Sequence, residues 1–130
     1  MAIRYSLSEK IDVGQFIDIL RRSTLSERRP VDNTDKMQKM VDNGNIIATA
    51  WDDAKLVGIA RSITDFAFCC YLSDLAVDAE YQRQGIGKQL IEITRKQIDD
   101  DIPLFLFAAP KAETYYPKVG FQSKTAWIIH

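Results

Sequence analysis

The residues that can do chemistry gather in one stretch, Leu72-Ser73-Asp74-Leu75-Ala76-Val77-Asp78-Ala79-Glu80-Tyr81-Gln82-Arg83-Gln84-Gly85-Ile86-Gly87-Lys88. An apolar strand runs into a glycine-containing turn and then a helix. Such a turn leaves backbone N–H groups unpaired at a helix N-terminus, where the helix dipole adds about half a positive charge. This suits a pyrophosphate. Gly85 and Gly87 let phosphates approach the main chain, and Arg83 and Lys88 supply countercharge. A Walker loop needs Gly where Gln82 stands and Ser or Thr where Gln89 stands; a dinucleotide fingerprint needs a third Gly where Leu90 stands. The pattern that fits is Gln/Arg-x-x-Gly-x-Gly/Ala, in Gln82-Arg83-Gln84-Gly85-Ile86-Gly87.

Downstream lies Tyr115-Tyr116-Pro117-Lys118-Val119-Gly120-Phe121, an aromatic-Tyr pair followed by x-Lys-x-Gly-Phe. With the strand Asp74-Leu75-Ala76-Val77 before the loop and a helix after it, the chain resembles the GNAT superfamily of acetyl-CoA-dependent N-acetyltransferases. The likeness covers nearly the whole chain and is closest to small single-domain bacterial members. It implies that the amides of Gln82, Arg83, Gln84, Gly85, Ile86, Gly87 and Lys88 hold the pyrophosphate of acetyl-CoA. It also implies that Leu75, Ala76 and Val77 pair with the pantetheine arm, and that a backbone amide there polarises the thioester carbonyl. Tyr116 aligns with the general acid toward the departing thiolate. Many members carry an Asn that contacts pantetheine where this chain has Ala108-Ala109-Pro110.

The implied reaction is direct attack of an amine on the thioester. A free alkylamine has a pKa near 10, so it must first lose a proton, to a carboxylate or to a water held by one. Asp74 is the candidate base on the central strand, although alternation turns it away from Leu75 and Ser73 and equally suits a structural role. Glu113 is a weaker candidate. Cys69 and Cys70 read as strand packing residues, since adjacent Cα atoms about 3.8 Å apart do not suit a disulfide. His130 reads as exposed, Tyr115 as packing, and Trp51 and Trp127 as core or pocket wall. Arg21, Arg22, Arg28 and Arg29 form a basic cluster: a solvated loop, or, for Arg28 and Arg29, the wall of an acceptor pocket that favours a carboxylate or phosphate on the acceptor.

The elements that must position these groups are legible in outline. Ser8 can cap a first helix carrying Val13, Phe16, Ile17 and Leu20. Thr34 can cap a second with Met37, Met40 and Val41, ended by Asn43-Gly44. Residues 46–51 and 56–63 read as a hairpin, and 67–77 as a long strand. A helix follows from Gly85, then a strand over 104–108, a short helix from Pro110 to Lys118, and a last strand over 121–129. The order is ααβββαβαβ, with a parallel crossover around the third helix. The expected fold is therefore α/β, a GNAT-like mixed and mostly antiparallel central sheet with helices on both faces.

The chain of 130 residues suits a single domain over residues 1–130 and can bury roughly two-thirds of its unfolded surface. Apolar residues make up 46% and charged residues 27%, an ordinary globular balance that excludes disorder as the main state. Net charge is −1, so an anionic ligand must be held locally, and neither nucleic acid nor membrane is an expected partner. Two thiols and one His make no zinc cluster, so no metal is expected. The free cysteines and the absence of a long apolar stretch lead to an expected cytoplasmic location. The reading is an acyltransferase moving an acetyl group to the primary amine of a small molecule. Its alternatives are a protein lysine or N-terminal acetyltransferase and a non-catalytic acyl-CoA-binding regulatory module. A homodimer is among the implied states, because many relatives pair.

Overall fold

The first helix owes its start to Asp12 rather than Ser8. The Asp12 carboxylate accepts the Gln15 amide at 2.7 Å, and the Gln15 side chain accepts the Asp12 amide at 2.9 Å, which closes a capping box. Helix α1 (Val13–Arg22) then turns Phe16, Ile19 and Leu20 fully inward. Asn33 caps helix α2 (Thr34–Asn43) by accepting the Lys36 amide, so Thr34 is its first residue rather than its cap. The structure, a computed structural model, describes residues 2–130. Met1, the start of the domain expected over 1–130, lies outside the described residues.

The sheet has five strands in sequence order: β1 (Arg4–Ser6), β2 (Ile46–Asp52), β3 (Lys55–Thr64), β4 (Cys70–Val77) and β5 (Leu104–Phe105). The first three pairings are antiparallel and β4 with β5 is parallel, joined across helix α3 (Ile86–Arg95). The mixed sheet with helices on both faces is as expected. One face packs Leu56, Ile59 and Ala76 against Phe16, Ile19, Leu20 and Met37 of α1 and α2. The other packs Ala48, Ala50, Val57 and Leu72 against Ile86, Leu90 and Ile91 of α3.

Two bulges interrupt the strict alternation of faces. Val57 is the extra residue opposite β2, since Gly58 pairs with Ala50 and Leu56 with Trp51. Ser73 is the extra residue opposite β3, since Asp74 pairs with Arg61 and Leu72 with Ser62. A bulge shifts the side-chain phase by one residue. Leu72 therefore faces α3 while Ala76, four residues on, faces α1.

The ends of the chain depart from expectation. The three-residue β1 is too short to give a periodic signal and forms by pairing with the edge of β2. The long strand expected from Ala67 begins at Cys70. The helix expected from Pro110 to Lys118 is two separate 3-10 turns, Pro110–Ala112 and Tyr116–Val119. Pro117 supplies no N–H, so it suits the first turn of a new helical segment and not the interior of a continuous helix. The strand expected over 104–108 stops at Phe105, and that over 121–129 does not form. Trp127, expected in the core or a pocket wall, is 90% exposed.

Candidate active site

The sheet forks where the chemistry was expected. Parallel pairing of β4 with β5 covers only Cys70 with Leu104 and Tyr71 with Phe105. The Ser73 bulge lies immediately beyond, and from there the outer edge of β4 has no strand partner among the described residues. A groove of about 560 Å³ opens in the fork. Leu72, Ser73 and Leu75 line one side and Leu106, Phe107 and Tyr116 the other, while Ser23 to Arg29 of the α1–α2 loop supplies part of the wall. A free strand edge offers alternating N–H and C=O groups to an extended ligand. The expected pantetheine positions Leu75, Ala76 and Val77 lie on this edge; Leu75 and Val77 also pack toward the α3 side, and the Ala76 side chain is buried toward α1.

The strand feeds directly into the glycine loop. Asp78 ends β4: its amide donates to the Val57 carbonyl, its carboxylate accepts the Glu80 amide, and its carbonyl accepts the Tyr81 amide. The Gln82 side chain reaches back to donate to the Val77 carbonyl at 3.2 Å. Arg83 and Gly85 then adopt left-handed backbone, with φ of +65° and +81°. Helix α3 starts at Ile86, so the amides of Ile86, Gly87 and Lys88 precede the first intrahelical pair, Gln89 to Gly85 at 3.0 Å. Space beyond Gly85 is open, with no atom within 4 Å of a notional Cβ. Arg83, Gln84 and Lys88 are exposed, and among the described residues the Arg83 and Lys88 side chains make no ion pair. Unpaired amides beside two free cations form a setting that fits a pyrophosphate.

Tyr116 stands on the far wall of the groove. Its ring meets Tyr115 at 5.3 Å and Phe121 at 5.5 Å between centroids. Burial, and to a lesser degree the neighbouring Tyr115, push its phenol above the ordinary value, while Arg29 pulls the other way. The hydroxyl therefore keeps its proton through the neutral range. Tyr115 does more than pack: its hydroxyl would lie 3.0 Å from a Cβ on Gly87, so the late motif touches the glycine loop directly.

The two arginines expected to meet an acceptor separate in role. Arg29 turns inward, pairs with the Asp74 carboxylate and donates to the Ser73 carbonyl at 2.6 Å. Arg28 lines the groove, and among the described residues its side chain makes no ion pair. Asp74 is 1% exposed, and its second oxygen pairs with Arg61, which also donates to the Ser73 hydroxyl at 2.9 Å and the Met40 carbonyl at 3.1 Å. The bulge thus brings Ser73 and Asp74 to one guanidinium, against the expectation that they face apart. An Asp committed to two guanidinium groups is poorly placed to take a proton from an amine in the groove. Glu113 does not line that groove; Glu27 does. Cys70 is buried, whereas Cys69 is exposed in the turn before β4 rather than packed in a strand. Arg61 and the Ser73 bulge were missed by sequence reasoning; an Arg within the apolar run of β3 is the signal that could have found the first.

β4 thus runs from the fork toward the glycine loop and α3, with Tyr116 across the groove. The family model described as an acetyltransferase (GNAT) domain matches residues 23–127. The chain belongs to the GNAT acetyltransferase family. It is 40% identical over 73 residues to GCN5-related N-acetyltransferase 2, chloroplastic, of Arabidopsis thaliana, a stretch covering 55% of this chain and 28% of that protein. The chain spans about a quarter to a half of the length of such relatives. A GNAT family acetyltransferase of Streptococcus pneumoniae superposes with a TM-score of 0.78 at 19% identity, covering 98% of each chain. The PaiA N-acetyltransferase of Thermoplasma acidophilum in complex with coenzyme A gives 0.73 at 18% identity, covering 95% of this chain and 92% of that one.

Proposed function

We propose that this protein transfers the acetyl group of acetyl-CoA to the primary amine of a small molecule. The observation that carries the reading is the free edge of β4 leading, through the turn Ala79–Tyr81, into the amide-rich loop at Gly85, with Tyr116 across the groove. Acetyl-CoA would lie with its pyrophosphate on the amides of Gln82 to Lys88 and its pantetheine arm along Leu75, Ala76 and Val77. Arg83 and Lys88 would neutralise the phosphates. The coenzyme A complex of the Thermoplasma relative supports this choice of ligand.

The neutral amine attacks the thioester carbon, and a C–N bond forms as charge collects on the carbonyl oxygen. A β4 amide stabilises that charge. The C–S bond then breaks, and the Tyr116 hydroxyl gives its proton to the leaving sulfur. The amine's surplus proton leaves through water, because Asp74 is occupied by its two arginines. Arg28 and Lys111 outnumber Glu27 among the free charges of the groove, which favours an acceptor carrying an anionic group. Walls on two sides, from the α1–α2 loop and the 110–112 turn, favour a small acceptor over a protein surface.

Thiol release from acetyl-CoA tests the reading, with O-phosphoethanolamine, ethanolamine, 2-phenylethylamine, spermidine and a lysine-containing peptide as probes. Amine-dependent thiol release is expected, faster with O-phosphoethanolamine than with ethanolamine. Tight acetyl-CoA binding without release for any probe would favour the binding-module alternative.

A further inference from the structure

The α1–α2 loop is tied to the bulge by a buried ion network. Arg29, which follows the 3-10 turn Leu25–Arg28 in the middle of that loop, pairs with Asp74, which sits beside the extra residue of the bulge. The same guanidinium donates to the carbonyl of Ser73, the bulge residue itself, at 2.6 Å. Arg61 approaches Asp74 from β3, holds the Ser73 hydroxyl and reaches the Met40 carbonyl near the end of α2. The Asp74 and Arg61 side chains are 0% and 4% exposed and that of Arg29 is 18% exposed, so water screens this network weakly. Gly44 leaves the room that Arg61 fills, for a Cβ there would lie 2.7 Å from the Arg61 Cγ.

We infer that Arg29, Asp74 and Arg61 form a latch that fixes the acceptor-side wall of the groove to the β4 bulge, with Arg29 and Asp74 acting as positioning residues rather than as acceptor ligand and base. The inference rests on the acyltransferase reading of the same groove. A fork needs two acceptors held at once, the carboxylate and the Ser73 carbonyl, and a planar guanidinium presents donors to both. A lysine ammonium keeps the charge but not the fork. That difference separates a latch from a simple charge that greets an anionic acceptor.

Three variants of the full chain decide it: Arg29→Gln, Arg29→Lys and Asp74→Asn. Arg29→Gln leaves Asp74 paired with Arg61 and so keeps the buried charge compensated. Hydrogen exchange of the amides of residues 24–33 is expected to speed up by about tenfold or more in all three, with α3 amides unchanged in the two Arg29 variants and faster as well in Asp74→Asn, which leaves Arg61 buried without its carboxylate. For the fastest amine of the panel, KM should rise by about tenfold with kcat within about threefold, and acetyl-CoA affinity should stay within about threefold. Arg29→Lys should behave like Arg29→Gln. Wild-type loop exchange in Arg29→Gln, or recovery of the amine KM in Arg29→Lys, would overturn the latch. If no amine supports turnover, the acyltransferase reading fails on its own while loop exchange still decides the latch.

Discussion

At the residue scale, Tyr116 and Asp78 carry the sharpest expectations. A general acid contributes about 10²–10⁴-fold, so Tyr116→Phe should lower kcat by about a hundredfold and leave acetyl-CoA affinity within about threefold. Because burial holds the phenol above its ordinary value, wild-type kcat should persist through a pH of about 10 before it falls, and the fall should vanish in Tyr116→Phe. An unchanged kcat would remove the acid role. Asp78 tests the frame instead. Burial alone would raise its pKa, but the Glu80 amide and the Arg22 guanidinium, 2.5 Å away, outweigh it and hold it below the ordinary value. A depressed carboxylate stabilises the fold above its unfolded pKa of about 3.9, and that contribution is lost as pH falls toward the folded value. Asp78→Asn should cost about 3 kcal/mol in urea at pH 7, and the gap to wild type should narrow near pH 3. A gap independent of pH would refute the ion pair as its source. The loop and late motif were legible as residue types at fixed spacing. The Asp74 network was not, because its partners lie 45 and 13 positions away: Arg61 meets it through the register of β3 and β4, and Arg29 through the path of the α1–α2 loop.

At the scale of elements, the passage from β4 through the loop to α3 is where local sequence and global fold agree. Gly85 sits at φ +81°, a conformation a β-branched residue enters only at a cost of about 1–3 kcal/mol. Gly85→Val should therefore lower the melting temperature and weaken acetyl-CoA binding at least tenfold, roughly 1.4 kcal/mol by titration calorimetry. Full affinity in a folded Gly85→Val protein would place the pyrophosphate elsewhere. Helices α1, α2 and α3 and the β2–β3–β4 antiparallel strands were legible from periodicity and turn residues, whereas the helix expected over 110–118 is two 3-10 turns. The bulges were not, since Val57 and Ser73 fit an alternating strand as well as an interrupted one. The fork depends on that invisible extra residue, so the sequence located the site's parts without the opening between them.

At the scale of the molecule, the two helical layers account for the buried core and the last ten residues contribute little to it. Trp127 and Ile129 are 90% and 97% exposed, and the expected final strand pairs with no strand among the described residues. Aromatic residues near an apolar run read as core from composition, but burial also requires a partner surface that only the assembled sheet can supply. Trp127→Ser should shift stability by less than about 0.5 kcal/mol. A loss above about 2 kcal/mol would mean that the ring is covered in solution. The claim on which everything else depends is that the fork and the loop together hold acetyl-CoA. Thermal unfolding of the wild-type chain with increasing acetyl-CoA tests it most directly. The account predicts a melting temperature that climbs with the logarithm of acetyl-CoA concentration above the dissociation constant, worth about 2.7 kcal/mol at a hundredfold excess, and a blunted rise in Gly85→Val. A melting temperature that stays constant up to millimolar acetyl-CoA would contradict it.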